Sequence, residues 1–125
     1  MKQTREKYLS IIIDASIDAG KAILNIYDTD FEVDYKADDS PLTLADRTAH
    51  DIIMEYLKTT GIPVLSEEGK HSSYDLRKDF KQLWIVDPLD GTKEFVKKNG
   101  EFTVNIALIE NQKPVLGVVF CPTLN

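Results

Sequence analysis

The sequence predicts an α+β domain, with two amphipathic helices packed on one face of a largely antiparallel sheet. Two runs in the first half carry apolar residues at three-and-four spacing, the mark of a helix with one buried stripe. The second half is built instead of short runs rich in Val, Ile and Phe, separated by Gly, Pro and Asn, the mark of strands and tight turns. With 125 residues, 42% hydrophobic and 29% charged, the chain is long enough for one real core.

The first helix is predicted over about Lys7 to Tyr27, with Leu9, Ile12, Ile13, Ser16, Ala19, Gly20, Ile23 and Ile26 on its inner stripe. Phe31 to Tyr35 alternates apolar and acidic residues and reads as a short half-buried strand. Lys36 to Leu42 reads as a polar loop broken by Pro41, and a second helix follows from about Leu44 to Thr60. Its stripe is Ala45, Ala49, Ile52, Ile53, Tyr56 and Leu57. Thr43 and Asp46 have the spacing of a capping box, and Gly61 with Pro63 closes the helix.

Val64 to Ser66 is a short predicted strand that runs into Glu67-Glu68-Gly69, and Lys70 to Lys78 is polar loop. Gln82 to Val86 is a strand ending in an aspartate turn, and Thr92 to Lys98 a short helix stopped by Asn99-Gly100. Two strands, about Phe102 to Glu110 and Val115 to Cys121, are joined by Asn111-Gln112-Lys113 as an antiparallel hairpin. Val115 to Phe120 is nearly all apolar, as in a strand covered on both faces. Little sequence follows it to cover a second face, so self-association through this strand is expected.

The formal charge of −6 argues against a nucleic-acid polymer as partner, since such a partner selects a basic face. It leaves room for a small anionic substrate if a cation supplies local positive charge, and it leaves peripheral membrane association open. No apolar run approaches the ~20 residues of a membrane span. The N-terminus lacks the apolar region of a signal peptide, so a cytoplasmic location is expected. Cys121 is the single cysteine, sits in an apolar run, and is expected to be a buried small hydrophobe.

The chemistry concentrates in Trp84-Ile85-Val86-Asp87-Pro88-Leu89-Asp90-Gly91-Thr92. A strand delivers Asp87, Pro88 fixes φ, and Gly91 permits a tight turn with close approach of a ligand to the backbone. The N–H groups of Gly91 and Thr92 then open a short helix and can hold an anion. Taken alone, Asp-Pro-x-Asp-Gly is also ordinary strand-ending turn chemistry.

Glu67 and Glu68 end another strand and can lie at the same sheet edge as Asp87, or form a solvated turn. Carboxylate oxygens suit hard cations such as Mg²⁺. Two such ions can activate a water and stabilise the leaving oxygen of an in-line phosphoryl displacement. Asp46 either caps its helix or orients the Thr92 hydroxyl to take a proton. His50 in a helix and His71 in a polar loop have no sequence partner that makes them ligands or bases, and Lys36 is either a solvated lysine or a contact near the metal site.

These segments together resemble the inositol monophosphatase superfamily of metal-dependent phosphatases. The resemblance rests on Asp39 to Asp46, Leu65 to Glu68, Trp84 to Phe95 and Asn99 to Pro122. The Asp-Pro-Leu-Asp-Gly-Thr run below a Glu pair is its specific mark. Lys93-Glu94-Phe95 and the run Asn99 to Ile109 favour the bisphosphate nucleotidase branch.

The resemblance implies that Glu67, Asp87 and Asp90, with the backbone carbonyl of Leu89, ligate Mg²⁺. It implies that these residues meet the substrate phosphate together with the N–H groups of Gly91 and Thr92, and that Asp46 and Thr92 activate the water. The implied reaction takes the 3′-phosphate from adenosine 3′,5′-bisphosphate, a small phosphorylated nucleotide, to give AMP and phosphate, clearing a by-product of sulfate reduction. The implied fold is an α/β/α/β/α sandwich, with residues 1–125 as its N-terminal metal- and phosphate-binding domain. A C-terminal domain, which in the superfamily carries a Trp-Asp motif and the nucleoside contacts, is absent from the sequence. Two other readings stay open: a phosphatase of inositol or sugar phosphates, and a metal-binding fragment without catalytic competence.

Overall fold

The computed structural model describes residues 2–28, 41–66, 81–97 and 99–124. The predicted strand Phe31 to Tyr35, Lys36, the Glu67-Glu68 pair and His71 lie outside the described residues. The described elements are α1 (Lys2–Tyr27), α2 (Pro41–Leu57), β1 (Val64–Ser66), β2 (Gln82–Asp90), α3 (Thr92–Lys97), β3 (Thr103–Glu110) and β4 (Lys113–Phe120). The sheet runs β1-β2-β3-β4. β1 is parallel to β2, and the other two pairings are antiparallel, so the predicted α+β class with a mostly antiparallel sheet is what forms.

The helices bury most of the stripes that the spacing predicts; in α1 the exception is Ile13, 40% exposed, while Ala15, outside the predicted stripe, takes a place in the core. In α1, Ile12, Ala15, Ala19 and Ile23 are fully buried, and in α2 so are Ala45, Ala49, Ile53 and Leu57. Ser16, buried among them, satisfies its hydroxyl on the carbonyl of Ile12 at 2.7 Å. Tyr56 of α2 donates to Asp18 of α1 and ties the two helices together. That bond, then burial, then the charges of Asp18 and Asp14 raise the phenol above its usual range. Close approach between α1 and the sheet needs a residue without a side chain at Gly20, where an added Cβ would stand 2.6 Å from the Phe120 ring.

The start of α2 differs from expectation. Pro41 begins the helix rather than breaking the loop before it, because at the first helical position a missing N–H costs nothing and a fixed φ is already helical. Thr43 therefore lies inside the first turn and is not the N-cap, and Asp46 lies a turn further in than a capping box requires. The helix closes with a 3₁₀ turn, Lys58–Thr60, and Gly61 at φ 70°. Thr60 is a node here. Its Oγ1 donates to the carbonyl of Leu57 at 2.7 Å and accepts from the Ile62 N–H at 3.2 Å and from Trp84 Nε1 at 3.0 Å, fixing the largest core side chain.

Strand alternation divides the sheet into two unlike faces. Trp84 and Val86 of β2 and Val104, Ile106 and Leu108 of β3 face the helices and are buried. Ile85 and Asp87 alternate with them and face away. They pair with Ala107 and Asn105, which in turn pair with Gly117 and Val119 of β4. Among the described residues β4 is the last strand of the sheet and is covered only on the α1 side, so Val119 is 75% exposed where coverage on both faces was expected. The β3–β4 turn is Asn111-Gln112, both residues at positive φ, as a two-residue type I′ hairpin requires. Cys121 is half-buried rather than buried, with Sγ 3.4 Å from the carbonyl of Gly100.

Candidate active site

Asp87 and Asp90 stand three residues apart, and in a regular strand such a pair would face opposite sides of the sheet. The register shows why they do not. Asp87 pairs with Asn105 and Asp90 with Thr103, so β2 spends three steps where β3 spends two. The extra residue is a β-bulge, and it reverses the alternation of β2. Asn105 and Thr103 share a face, so Asp87 and Asp90 share it too, while Pro88 and Leu89 between them are buried. Both carboxylates thus lie on the face away from α1 and α2.

The bulge also explains how Pro88 sits inside a strand instead of ending it, contrary to the sequence reading. Pro cannot donate to a ladder and is tolerated at bulges and strand edges. The β3 ladder is interrupted between Asp87 and Asp90, so Pro88 falls where that ladder does not call for its N–H.

Beyond Asp90 the backbone turns sharply. Gly91 has φ +92°, and an added Cβ would meet the carbonyl oxygen of Glu101 at 3.0 Å and the Cα of Phe102 at 3.2 Å. Its carbonyl accepts the Phe95 N–H at 2.9 Å and begins α3, with Thr92 exposed at the first position. An aromatic triangle holds this turn from below. Tyr27, Phe95 and Phe102 have ring centroids 5.5, 4.9 and 5.4 Å apart, each contact worth about 0.5–1.5 kcal/mol beyond its buried area. From the other side, Thr123 Oγ1 donates to the carbonyl of Gly100 at 2.7 Å and clamps the loop after α3.

Of the predicted site residues, the structure brings Asp87, Leu89, Asp90, Gly91 and Thr92 together at the end of β2 and the start of α3. Asp46 comes from α2, which touches α3; it is half-buried, with its Oδ1 buried. Glu67 lies outside the described residues, one position after Ser66, whose strand partner Val86 precedes Asp87. His50 of α2 holds Ser66 through Nδ1···Oγ at 2.9 Å.

One residue the sequence reading passed over stands in the middle of the carboxylates. Asn105 Nδ2 donates to Asp90 Oδ2 at 3.1 Å. Its Oδ1 is buried and has no hydrogen-bond partner among the described residues, a state that ordinarily costs about 1–3 kcal/mol. The signal was the alternation of β3, which sets Asn105 on the outward register, but only the pairing with Asp87 gives that register a meaning.

The donor set fits a hard divalent cation. Two carboxylates and the Leu89 carbonyl are all oxygen donors, as Mg²⁺ or Mn²⁺ prefers. The like charges of Asp87 and Asp90 on one face are better tolerated with a cation between them. Among the described residues no cluster of three or more His, Cys, Asp or Glu is assembled.

Among the described residues, a four-stranded sheet with two helices on one face and a bulged Asp-Pro-Leu-Asp-Gly-Thr run on the other is the architecture of the inositol monophosphatase fold. The chain belongs to the inositol monophosphatase family, whose pattern matches residues 4–125. Among curated relatives, 3′(2′),5′-bisphosphate nucleotidase CysQ of Salmonella typhimurium is 56% identical over 110 residues, covering 85% of this chain and 44% of the relative. CysQ of Escherichia coli K12 is 53% identical over 111 residues, covering 86% and 45%. The solved structure of CysQ from Bacteroides thetaiotaomicron aligns with TM-score 0.85 and 55% identity, over 94% of this chain and 43% of that one. Inositol monophosphatase from Anabaena aligns with TM-score 0.78 at 26% identity, over 98% and 42%. The chain thus spans less than half the length of the relatives it matches. No described helix is long and apolar enough to cross a membrane.

Proposed function

We propose that this chain is the metal- and phosphate-binding domain of a Mg²⁺-dependent cytoplasmic phosphatase that removes the 3′-phosphate of adenosine 3′,5′-bisphosphate, giving AMP and phosphate. The observation that carries the reading is the bulge that sets Asp87 and Asp90 on one face directly before Gly91 and Thr92. The identity to bisphosphate nucleotidases, 56% and 53%, supports this substrate class.

In this reading Asp87, Asp90 and the Leu89 carbonyl hold Mg²⁺, with Glu67 as a further ligand. The parallel register of Ser66 with Val86 supports that assignment, since it ends β1 one residue before Glu67 at the level where β2 reaches Asp87. Bound there, Mg²⁺ supplies charge that activates a water and offsets the developing negative charge on the phosphate. The backbone N–H groups of Gly91 and Thr92 orient the phosphate, which the positive φ of Gly91 leaves uncrowded by a side chain. Thr92 Oγ1 accepts the proton of the attacking water as its own hydroxyl proton passes to the Asp46 carboxylate, which is the final base. The contact between α2 and α3 supports this pair.

The test is turnover of adenosine 3′,5′-bisphosphate by the purified protein with Mg²⁺. Asp87→Asn is expected to lower it by about 100-fold or more, at or beyond the range for residues that only support a metal ligand. Normal turnover in that variant overturns the reading. A clear preference for inositol 1-phosphate in a substrate panel transfers it to the inositol phosphatases.

A further inference from the structure

We propose that Asn105 is a positioning residue for the cation site, holding Oδ2 of Asp90 so that the other oxygen of that carboxylate is offered to a hard divalent ion. The proposal rests on the reading of Asp87 and Asp90 as cation ligands and deepens it by one residue.

Three observations lead to it. Asn105 is the strand partner of Asp87 and the hydrogen-bond donor to Asp90, so one side chain spans both carboxylates across the bulge. The bond runs from a neutral amide to a carboxylate. That fixes the amide orientation, because only the NH₂ end can meet an anion. The consequence is that Oδ1 is turned inward, buried and unpaired among the described residues. Buried polar atoms are almost always satisfied, and departures gather where function holds a group in place. An asparagine held with its oxygen buried and unpaired among the described residues, so that its nitrogen can reach Asp90, fits a side chain selected for the site. A residue serving the sheet alone at this position would more naturally be Ser, Thr or Val.

The physical role follows. Asp90 is exposed, and without a partner its carboxylate samples several rotamers. Fixing one oxygen on Asn105 removes that freedom before the ion arrives, and a ligand ordered in advance binds more tightly than one ordered on binding.

Mn²⁺ binding to the purified protein without substrate, read from the electron paramagnetic resonance of the free ion, tests this. Asn105→Leu, nearly the same shape without the amide, is expected to weaken Mn²⁺ about 10-fold. Its melting curve without metal should stay close to that of the parent. Asn105→Ser, which shortens the side chain, carries the same comparison if the leucine variant folds poorly. In an Asp90→Asn background, the Asn105 substitution is expected to have no further effect, because its influence passes through the Asp90 carboxylate. Unchanged Mn²⁺ affinity in both variants, or losses that simply add in the double variant, overturn the positioning role while leaving the cation site standing. Absence of Mn²⁺ binding by the parent protein overturns the cation site itself and this role with it.

Discussion

The two faces of the sheet are made from alternate residues of the same strands, yet they do different work. The face toward α1 and α2 carries Trp84, Val86, Ile106 and Leu108, all buried, and it closes a core in which the buried hydroxyls of Ser16 and Ser66 are hydrogen-bonded, to the Ile12 carbonyl and to His50. The opposite face carries Ile85, Asp87, Asn105, Ala107, Gly117 and Val119, a mixture no core would choose. The difference teaches that one alternation can separate stability from chemistry. One extra residue in β2 then moves a second carboxylate across to the side where chemistry belongs.

Substitutions can break or sharpen this division. The largest effect is expected on the covered face. Trp84→Ala removes a fully buried indole and its bond to Thr60, and should cost about 3–5 kcal/mol in urea unfolding. On the other face, Asp87→Asn should lower Mg²⁺-dependent turnover by about 100-fold while leaving the urea midpoint without metal the same or slightly raised, since it removes one of two like charges. A large loss of stability in that variant would show that the two faces are not separate. Gly91→Ala tests the junction between them. The +92° φ and the Glu101 carbonyl oxygen 3.0 Å from the new Cβ predict about 1–3 kcal/mol of strain together with weakened phosphate binding, read as a raised KM. The smallest effect is expected at Val119, 75% exposed, where Val119→Thr should change stability by less than about 0.5 kcal/mol. A larger change would mean that this face is covered.

Much of the covered face was legible in the sequence. The stripe Ala45, Ala49, Ile53 and Leu57 announces itself by spacing, and so do Ile12, Ala19 and Ile23. The boundaries were less so. Pro41 reads as a helix breaker or a helix starter depending on what precedes it, and the two signals are the same residue. The Asp87–Asp90 motif was visible as chemistry, but its geometry was not. Asp-Pro-Leu-Asp suggests a turn, and only the β3 register shows that the strand continues through it with one residue to spare. The parallel pairing of β1 with β2 was hidden for a similar reason, since it joins strands separated by residues 67–81 and leaves no local mark. Asn105 was within the quoted run yet carried no signal of its own, because its importance comes from a carboxylate fifteen positions away.

The central claim is that the bulge places Asp87 and Asp90 on one face as joint ligands of a single cation. Anomalous diffraction from crystals soaked in Mn²⁺ tests it most directly. The expected result is a peak within coordination distance, about 2.0–2.6 Å, of oxygens from both carboxylates on the face away from α1 and α2. A peak bound by only one of them, or electron density showing the two side chains on opposite faces of β2, would contradict it.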